Sequence, residues 1–163
     1  NVTHAAEIKR AEMLSMTLNT IGGGLGLLLF GSISDRLGRR GAFILYHVVA
    51  FVAVILLFKV LLPRDASALT LAVFLPIFGF FTLGMHDGYA VYYPDLYPTR
   101  LRGTGAGFCF NVGRLGTAAA FLWFAVMHKS APDSQALFLA PLYLLGAVVV
   151  LFGRETRGAE LLE

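Results

Sequence analysis

Five long apolar runs, separated by short charged segments, constrain this chain more than any other feature. They lie at about 11–31, 41–62, 66–93, 103–127 and 135–152. Roughly 20 helical residues cross the hydrocarbon core of a bilayer, and each run has about that length. In lipid the backbone satisfies its polar groups only as a helix or a closed barrel. Strict period-two alternation is absent and the runs exceed a barrel strand, so helices are expected. Composition agrees: of 163 residues, 57% are hydrophobic and 14% charged. A soluble domain carries roughly 25% charged residues. That shortage excludes nearly every soluble enzyme fold, a disordered chain and a nucleic-acid module. The formal net charge of +3 comes from loop arginines, which is an orientation signal and not a basic groove. One cysteine, Cys109, excludes an internal disulfide framework and a Cys-based metal site. With His4 and His128 isolated, no metal and no cofactor are expected. The chain reads as an all-α integral membrane protein embedded in the lipid bilayer.

The basic residues give the orientation. Arg36, Arg39, Arg40, Arg100, Arg102, Arg154 and Arg157 fall on one face. Lys9, Arg10, Arg64 and Lys129 fall on the other, with Lys59 near that end of its span. The positive-inside rule makes the first face cytoplasmic. Residues 1–10 are then an external loop, 11–153 a transmembrane bundle and 154–163 a cytoplasmic tail. The start, NVTHAAEIKRAEM, lacks the apolar core and cleavage site of a signal peptide. An outside start with five spans implies further helices upstream. Asn1-Val2-Thr3 matches a glycosylation sequon, a short motif common by chance. The pairs Gly22/Gly26, Gly84/Gly88 and Gly103/Gly107 have the four-residue spacing of close helix contacts in lipid. Pro76 and Pro141 lie inside spans, where each frees a carbonyl and favours a kink.

The first inter-span segment reads Gly31-Ser32-Ile33-Ser34-Asp35-Arg36-Leu37-Gly38-Arg39-Arg40. Gly31 admits a neighbouring helix, and Asp35 suits a helix N-terminus, where the dipole favours an anion. Gly38 permits a tight reversal, and the arginines suit carboxylates or lipid phosphates. A positively charged loop that only fixes topology would look the same.

This segment closely resembles the loop signature of the major facilitator superfamily, found between helices two and three and again between eight and nine. Tyr93-Pro94-Asp95-Leu96-Tyr97-Pro98-Thr99-Arg100-Leu101-Arg102-Gly103-Thr104-Gly105 resembles the stretch joining the tenth and eleventh helices in its sugar and organic-anion members. Arg154-Glu155-Thr156-Arg157-Gly158 resembles the element after the twelfth. Asp95 stands where Glu is commoner, and no proline precedes Glu155. The three occur in the family's order and cover the chain from about Gly31 to its end.

The resemblance implies that the five spans correspond to helices 8–12 of a twelve-helix transporter in the cell membrane. The first seven helices, an N-terminal half, would be a partner outside this sequence, and a small solute its cargo. Two bundles would rock about a midplane site. Gly31, Asp35, Arg36, Gly38, Arg39 and Arg40 would form a cytoplasmic gating motif. Asp95, Arg100, Arg102, Glu155 and Arg157 would extend the same charge network, which biases a two-state equilibrium without touching solute.

Ionisable groups inside a span are costly and usually face the bundle interior or a water-filled cavity. Arg114 lies twelve residues past Arg102, roughly 18 Å deep at about 1.5 Å per residue. Asp87 lies eight residues before Asp95, roughly 12 Å deep by the same rise. The two are expected to face each other near a cavity. Asp87 is then a proton site and Arg114 an anchor for a substrate carboxylate, or the two form a static ion pair. His86 could share a proton relay, or be hydrogen-bonded packing like His47. Asn111 and Tyr89 could line the same cavity.

The leading function is the C-terminal portion of a secondary or facilitative transporter for a sugar or organic anion, with or without coupled protons. An intramembrane enzyme would need a nucleophile beside His86-Asp87, and none is well placed. A stand-alone five-helix interaction protein leaves three ordered signatures unexplained. ATP-driven transport lacks a phosphate-cradling Gly-rich loop.

Overall fold

The computed structural model describes residues 2–127 and 132–158; the side chains of 2–5, 87, 127 and 132–134 lie outside the description. The described residues form seven α-helices: α1 (Val2–Leu37), α2 (Arg39–Leu56), α3 (Ala68–Leu83), α4 (Met85–Asp95), α5 (Arg102–Met127), α6 (Pro132–Leu139) and α7 (Pro141–Phe152). A π-helical stretch, Leu57–Leu61, prolongs α2, and a 3₁₀ turn, Thr99–Leu101, leads into α5. Five helical stretches are long and apolar enough to cross a membrane: Ala6–Leu37, Arg39–Leu61, Ala68–Asp95, Thr99–Val126 and Gln135–Phe152. The chain is an all-α integral membrane protein.

Three boundaries differ from the sequence expectation, each for a local reason. The segment 1–10, expected as an external loop, is helical from Val2. It holds no Gly or Pro, and Ala5, Ala6, Glu7, Lys9 and Arg10 favour a helix, so falling apolarity ended the run while helix propensity continued. At the other end, Gly31–Leu37 was expected as loop and stays in α1, because no breaker occurs before Gly38. The third run divides at Gly84 into α3 and α4, and the fifth divides at Ala140. Pro141 has no N–H to continue α6 and instead starts α7 at its first position. Pro76, by contrast, lies within α3 without ending it. Ser67 begins that helix, its Oγ accepting the Thr70 N–H at 3.2 Å.

Packing starts with the pair α1–α3. A side chain at Gly22, Gly26 or Gly79 would run into the opposite backbone, at Pro76, Phe80 and Asn19 respectively. Small residues thus let the two helices touch main chain to main chain, as association in lipid requires. Gly84 and Gly88 are also filled around, whereas Gly31, Gly103 and Gly107 have open space where a Cβ would be. The expected close approach at those three is absent among the described residues. Beside this contact sits an aromatic core on α1, α2 and α4. Phe30, Phe43 and Tyr46 are fully buried, with Met85 and Tyr92 against them. Phe30 meets Phe43 and Tyr46 edgewise or tilted at 5.1 Å, and the Tyr46 hydroxyl donates to the Gly26 carbonyl at 3.2 Å. In the apolar window of the second span 44% of residues are buried, against 6% in the fourth. The face of α5 is therefore left to lipid or to another helix.

Candidate functional site

Two features gather chemistry: a polar junction at the arginine-rich end of the bundle, and a cavity beside α5. The junction is built on Gly38. It turns the chain between α1 and α2 with φ 83°, a left-handed value that only glycine adopts freely. Having no side chain, it cannot cap α2. The first amides of α2 instead donate to Glu155, 116 residues away in sequence: Arg39 N to Oε1 at 2.8 Å and Arg40 N to Oε2 at 3.1 Å. Arg157 N also donates to Oε1, at 3.0 Å. A Cβ at Gly38 would stand 2.7 Å from Glu155 Oε2, so the glycine serves the carboxylate as well as the turn. Burial pushes the Glu155 pKa up, but the amides of Arg157, Arg39, Arg40 and Thr156 outweigh it and hold the pKa below its ordinary value.

The expectation that Asp35 would serve a helix N-terminus is corrected here. Asp35 lies in the last turn of α1, at the negative end of that dipole, with 71% of its side chain exposed. Glu155 takes the N-terminal role because it lies where the free amides of α2 point. Asp35 pairs instead with Arg39 Nη1 at 3.1 Å. The Arg39 guanidinium, only 18% exposed, also donates to Ser34 Oγ at 2.5 Å and places Nε 3.7 Å from Asp95 Oδ2. The Thr156 hydroxyl, which is buried, donates to that same Asp95 oxygen at 3.0 Å. Arg157 Nη1 donates to the Arg36 carbonyl at 2.8 Å, and Arg40 Nη2 to the Leu151 carbonyl. The junction thereby ties α1, α2, α4 and the segment after α7 together.

Other expected members stand apart. Arg102 Nε donates to the Pro94 carbonyl at 3.2 Å, closing the α4–α5 corner, and its buried Nη2 has no hydrogen-bond partner among the described residues. Among the described residues neither Arg36 nor Arg100 forms a side-chain ion pair. Gly31 lies in α1 with open space around it.

The second feature is a cavity of about 250 Å³ between α4 and α5, bordered by His86, Tyr89, Tyr93, Cys109, Phe110 and Arg114. Three expected residues, His86, Tyr89 and Arg114, meet there. The Arg114 guanidinium carbon lies 5.9 Å from the Phe110 ring centre, within cation–π range. His86 Nδ1 is 2.9 Å from the Leu83 carbonyl, which can only accept, so that nitrogen carries the proton. Tyr89 stacks between Phe43 at 5.1 Å and Tyr93 at 5.4 Å, which fixes its ring. Asn111 does not border the cavity; its amide donates to the Gly107 carbonyl of its own helix at 2.7 Å. Asp87 lies on α4, and its side chain is outside the described residues, as are His128, Lys129 and the Asn1 sequon.

The segments that meet at this junction, from Gly38 to Arg157, all lie within one stretch that matches a known family. Residues 25–163 match the family described as sugar (and other) transporter. The chain belongs to that family, within the major facilitator superfamily. It is 27% identical over 148 residues to the protein named "Probable 4-methylmuconolactone transporter" of Cupriavidus pinatubonensis, covering 90% of this chain and 34% of that one. To the sialic acid transporter NanX of Escherichia coli it is 26% identical over 143 residues, 88% of this chain and 35% of the relative. To the cis,cis-muconate transport protein of Acinetobacter baylyi it is 32% identical over 134 residues, 80% and 31%. The chain thus spans about a third of the length of these relatives. No solved structure matches it.

Within this major facilitator chain, sequence reasoning named Glu155 but not its capping role. The signal was available: Gly38 offers α2 no side-chain acceptor, so one had to arrive from elsewhere. Ser34 and Thr156 gave no such signal, since both are common small polar residues until Arg39 and Asp95 are brought to them.

Proposed function

We propose that this chain is the C-terminal portion of a secondary transporter that moves a small organic anion across the cell membrane by alternating access. The observation that carries this reading is Arg114, a guanidinium bordering a cavity between two spans. A fixed cation is costly in a membrane unless it faces water, a partner or a solute, and its planar fork suits a carboxylate. Relatives named for sialic acid and cis,cis-muconate support an acidic solute. All three relatives above are named as transporters, which supports transport over enzymatic chemistry.

The arginine-rich end is cytoplasmic in this reading, from the positive-inside balance. The junction of Arg39, Asp95 and Glu155 then acts as a gate with a missing N-terminal half, holding one conformation until its bonds break. Asp87 is the proposed proton site, one residue from His86 on α4. In the full-length transporter, Arg114→Lys should weaken uptake of the anion and Arg114→Gln should abolish it. Asp87→Asn should remove dependence on a proton gradient while binding persists. Unchanged affinity and rate in Arg114→Gln would overturn the anion reading. A sugar is the second reading, favoured by the family's description; it predicts competition by sugars and indifference to Arg114.

A further inference from the structure

Most arginines at the arginine-rich end are engaged by the protein itself. Arg39, Arg40, Arg102 and Arg157 each donate a side-chain hydrogen bond within the junction or the α4–α5 corner. Arg154 differs. Its carbonyl accepts the Tyr92 hydroxyl at 2.7 Å, while its guanidinium forms no ion pair among the described residues. It stands just past Phe152, where the last membrane-spanning stretch ends. An arginine at the end of a span places its charge at the level of the lipid headgroups.

Arg154 also borders a cavity of about 320 Å³ between α4 and α7. Phe43 and His47 of α2, Tyr93 and Leu96 at the end of α4, and Val149 and Val150 of α7 line this slot. Two glycines seat α7 at its ends. A Cβ at Gly146 would run into His47 Nε2, and one at Gly153 would stand 2.6 Å from the Tyr92 hydroxyl. From Gly146 to the end of α7 at Phe152 the helix rises about 9 Å at 1.5 Å per residue. The hydrocarbon core is roughly 30 Å thick, so the slot stays within one leaflet.

Few polar groups in the slot are left for water or for a hydroxylated solute. His47 Nδ1 donates to the Phe43 carbonyl at 2.8 Å, and Nε2 is packed against Gly146. The Tyr92 hydroxyl is held by Arg154. A buried water needs about 2–4 polar partners, and an empty slot forfeits the dispersion contacts of its walls. A hydrocarbon chain meets neither cost. Tyr92 and Tyr93 stand at the same end, as aromatic residues do at a bilayer interface.

We propose that this slot is a binding site for an anionic phospholipid of the leaflet at the arginine-rich end. The phosphate lies on Arg154, and one acyl chain runs inward past Leu96 and Val149 towards His47. Once bound, the lipid fills the space between α4 and α7 and steadies the segment that carries Glu155. The site needs only the spans and the free arginine, so it stands or falls apart from the solute reading.

The test is native mass spectrometry of the full-length protein in detergent, with equimolar phosphatidylglycerol and phosphatidylcholine of matched chains. One arginine at an anionic lipid surface corresponds to a preference of about fivefold. Wild type should retain phosphatidylglycerol over phosphatidylcholine by that factor. Arg154→Gln, at an exposed position, keeps the carbonyl that Tyr92 needs and should bring the two lipids to parity. Arg100→Gln, also exposed and away from the slot, should leave the preference unchanged. Val149→Trp puts a ring into the slot from a position 61% exposed and should lower retention of both lipids. The thermal midpoint in phosphatidylcholine alone reports whether each variant folds, and Arg154→Gln decides the headgroup contact whatever Val149→Trp does. An undiminished preference in Arg154→Gln, or an equal loss in Arg100→Gln, would overturn the site. So would displacement of phosphatidylglycerol by inorganic phosphate, which would leave an anion contact without a chain. Retention of no phospholipid at all would mean that protein fills the slot, and would overturn it equally.

Discussion

Removing the Glu155 carboxylate should loosen the arginine-rich end of the bundle by an amount the geometry bounds. Glu155 accepts two amides at the start of α2 and a third from Arg157. Loss of a side-chain cap costs about 0.5–2 kcal/mol, and loss of an anion at a helix N-terminus about 0.3–1 kcal/mol. The residue is exposed, so solvent takes up part of the loss and the sum belongs near 1–2 kcal/mol, roughly. Glu155→Ala should then lower the thermal midpoint of the detergent-solubilised protein by about 2–8 °C, taking about 2–4 °C per kcal/mol at this size. Glu155→Gln, which keeps one acceptor oxygen without charge, should fall between. The pH dependence has a definite sign. The folded pKa of Glu155 lies below its ordinary value, so its stabilisation is fully present above about pH 4.3, the unperturbed value. It is lost as pH falls through the lowered folded pKa. The gap between wild type and Glu155→Ala should therefore close on acidification below that point. Equal midpoints at pH 7, with no change on acidification, would refute the capping argument and leave Glu155 a solvated tail residue.

Three further outcomes follow from the packing. Gly26→Val should prevent the α1–α3 contact, because a Cβ there already meets the Phe80 carbonyl; overpacking costs about 1–3 kcal/mol and more against backbone, and loss of the folded, monodisperse peak on size exclusion would report it. A double-mutant cycle on Arg39→Ala and Asp95→Ala, read by thermal midpoint, should give a coupling of about 0.5–1 kcal/mol, since both side chains are largely buried yet 3.7 Å apart; additive effects would show that Asp95 answers only to Thr156. Tyr92→Phe should cost about 1 kcal/mol through the lost 2.7 Å bond to the Arg154 carbonyl, measured as a lower midpoint with uptake retained.

The sequence alone determined that this is a five-span helical membrane protein of the major facilitator type. Apolarity over a bilayer's thickness is a property of consecutive residues, and the three signature segments are contiguous, so neither needed a fold to be legible. Local chemistry also placed Gly38 at the turn. The sequence misjudged helix ends, because apolarity marks where lipid begins and not where the backbone stops its hydrogen bonding: hence the helical 2–10 and the helical Gly31–Leu37. Which glycines bring helices together was equally hidden. Gly22 and Gly26 have the same spacing as Gly103 and Gly107, yet only the first pair meets another backbone. Tertiary structure alone decided that Glu155 caps a helix begun 116 residues earlier, that Thr156 answers Asp95, and that His86, Tyr89 and Arg114 border one cavity. Each depends on distances between segments remote in the chain, which no local pattern encodes.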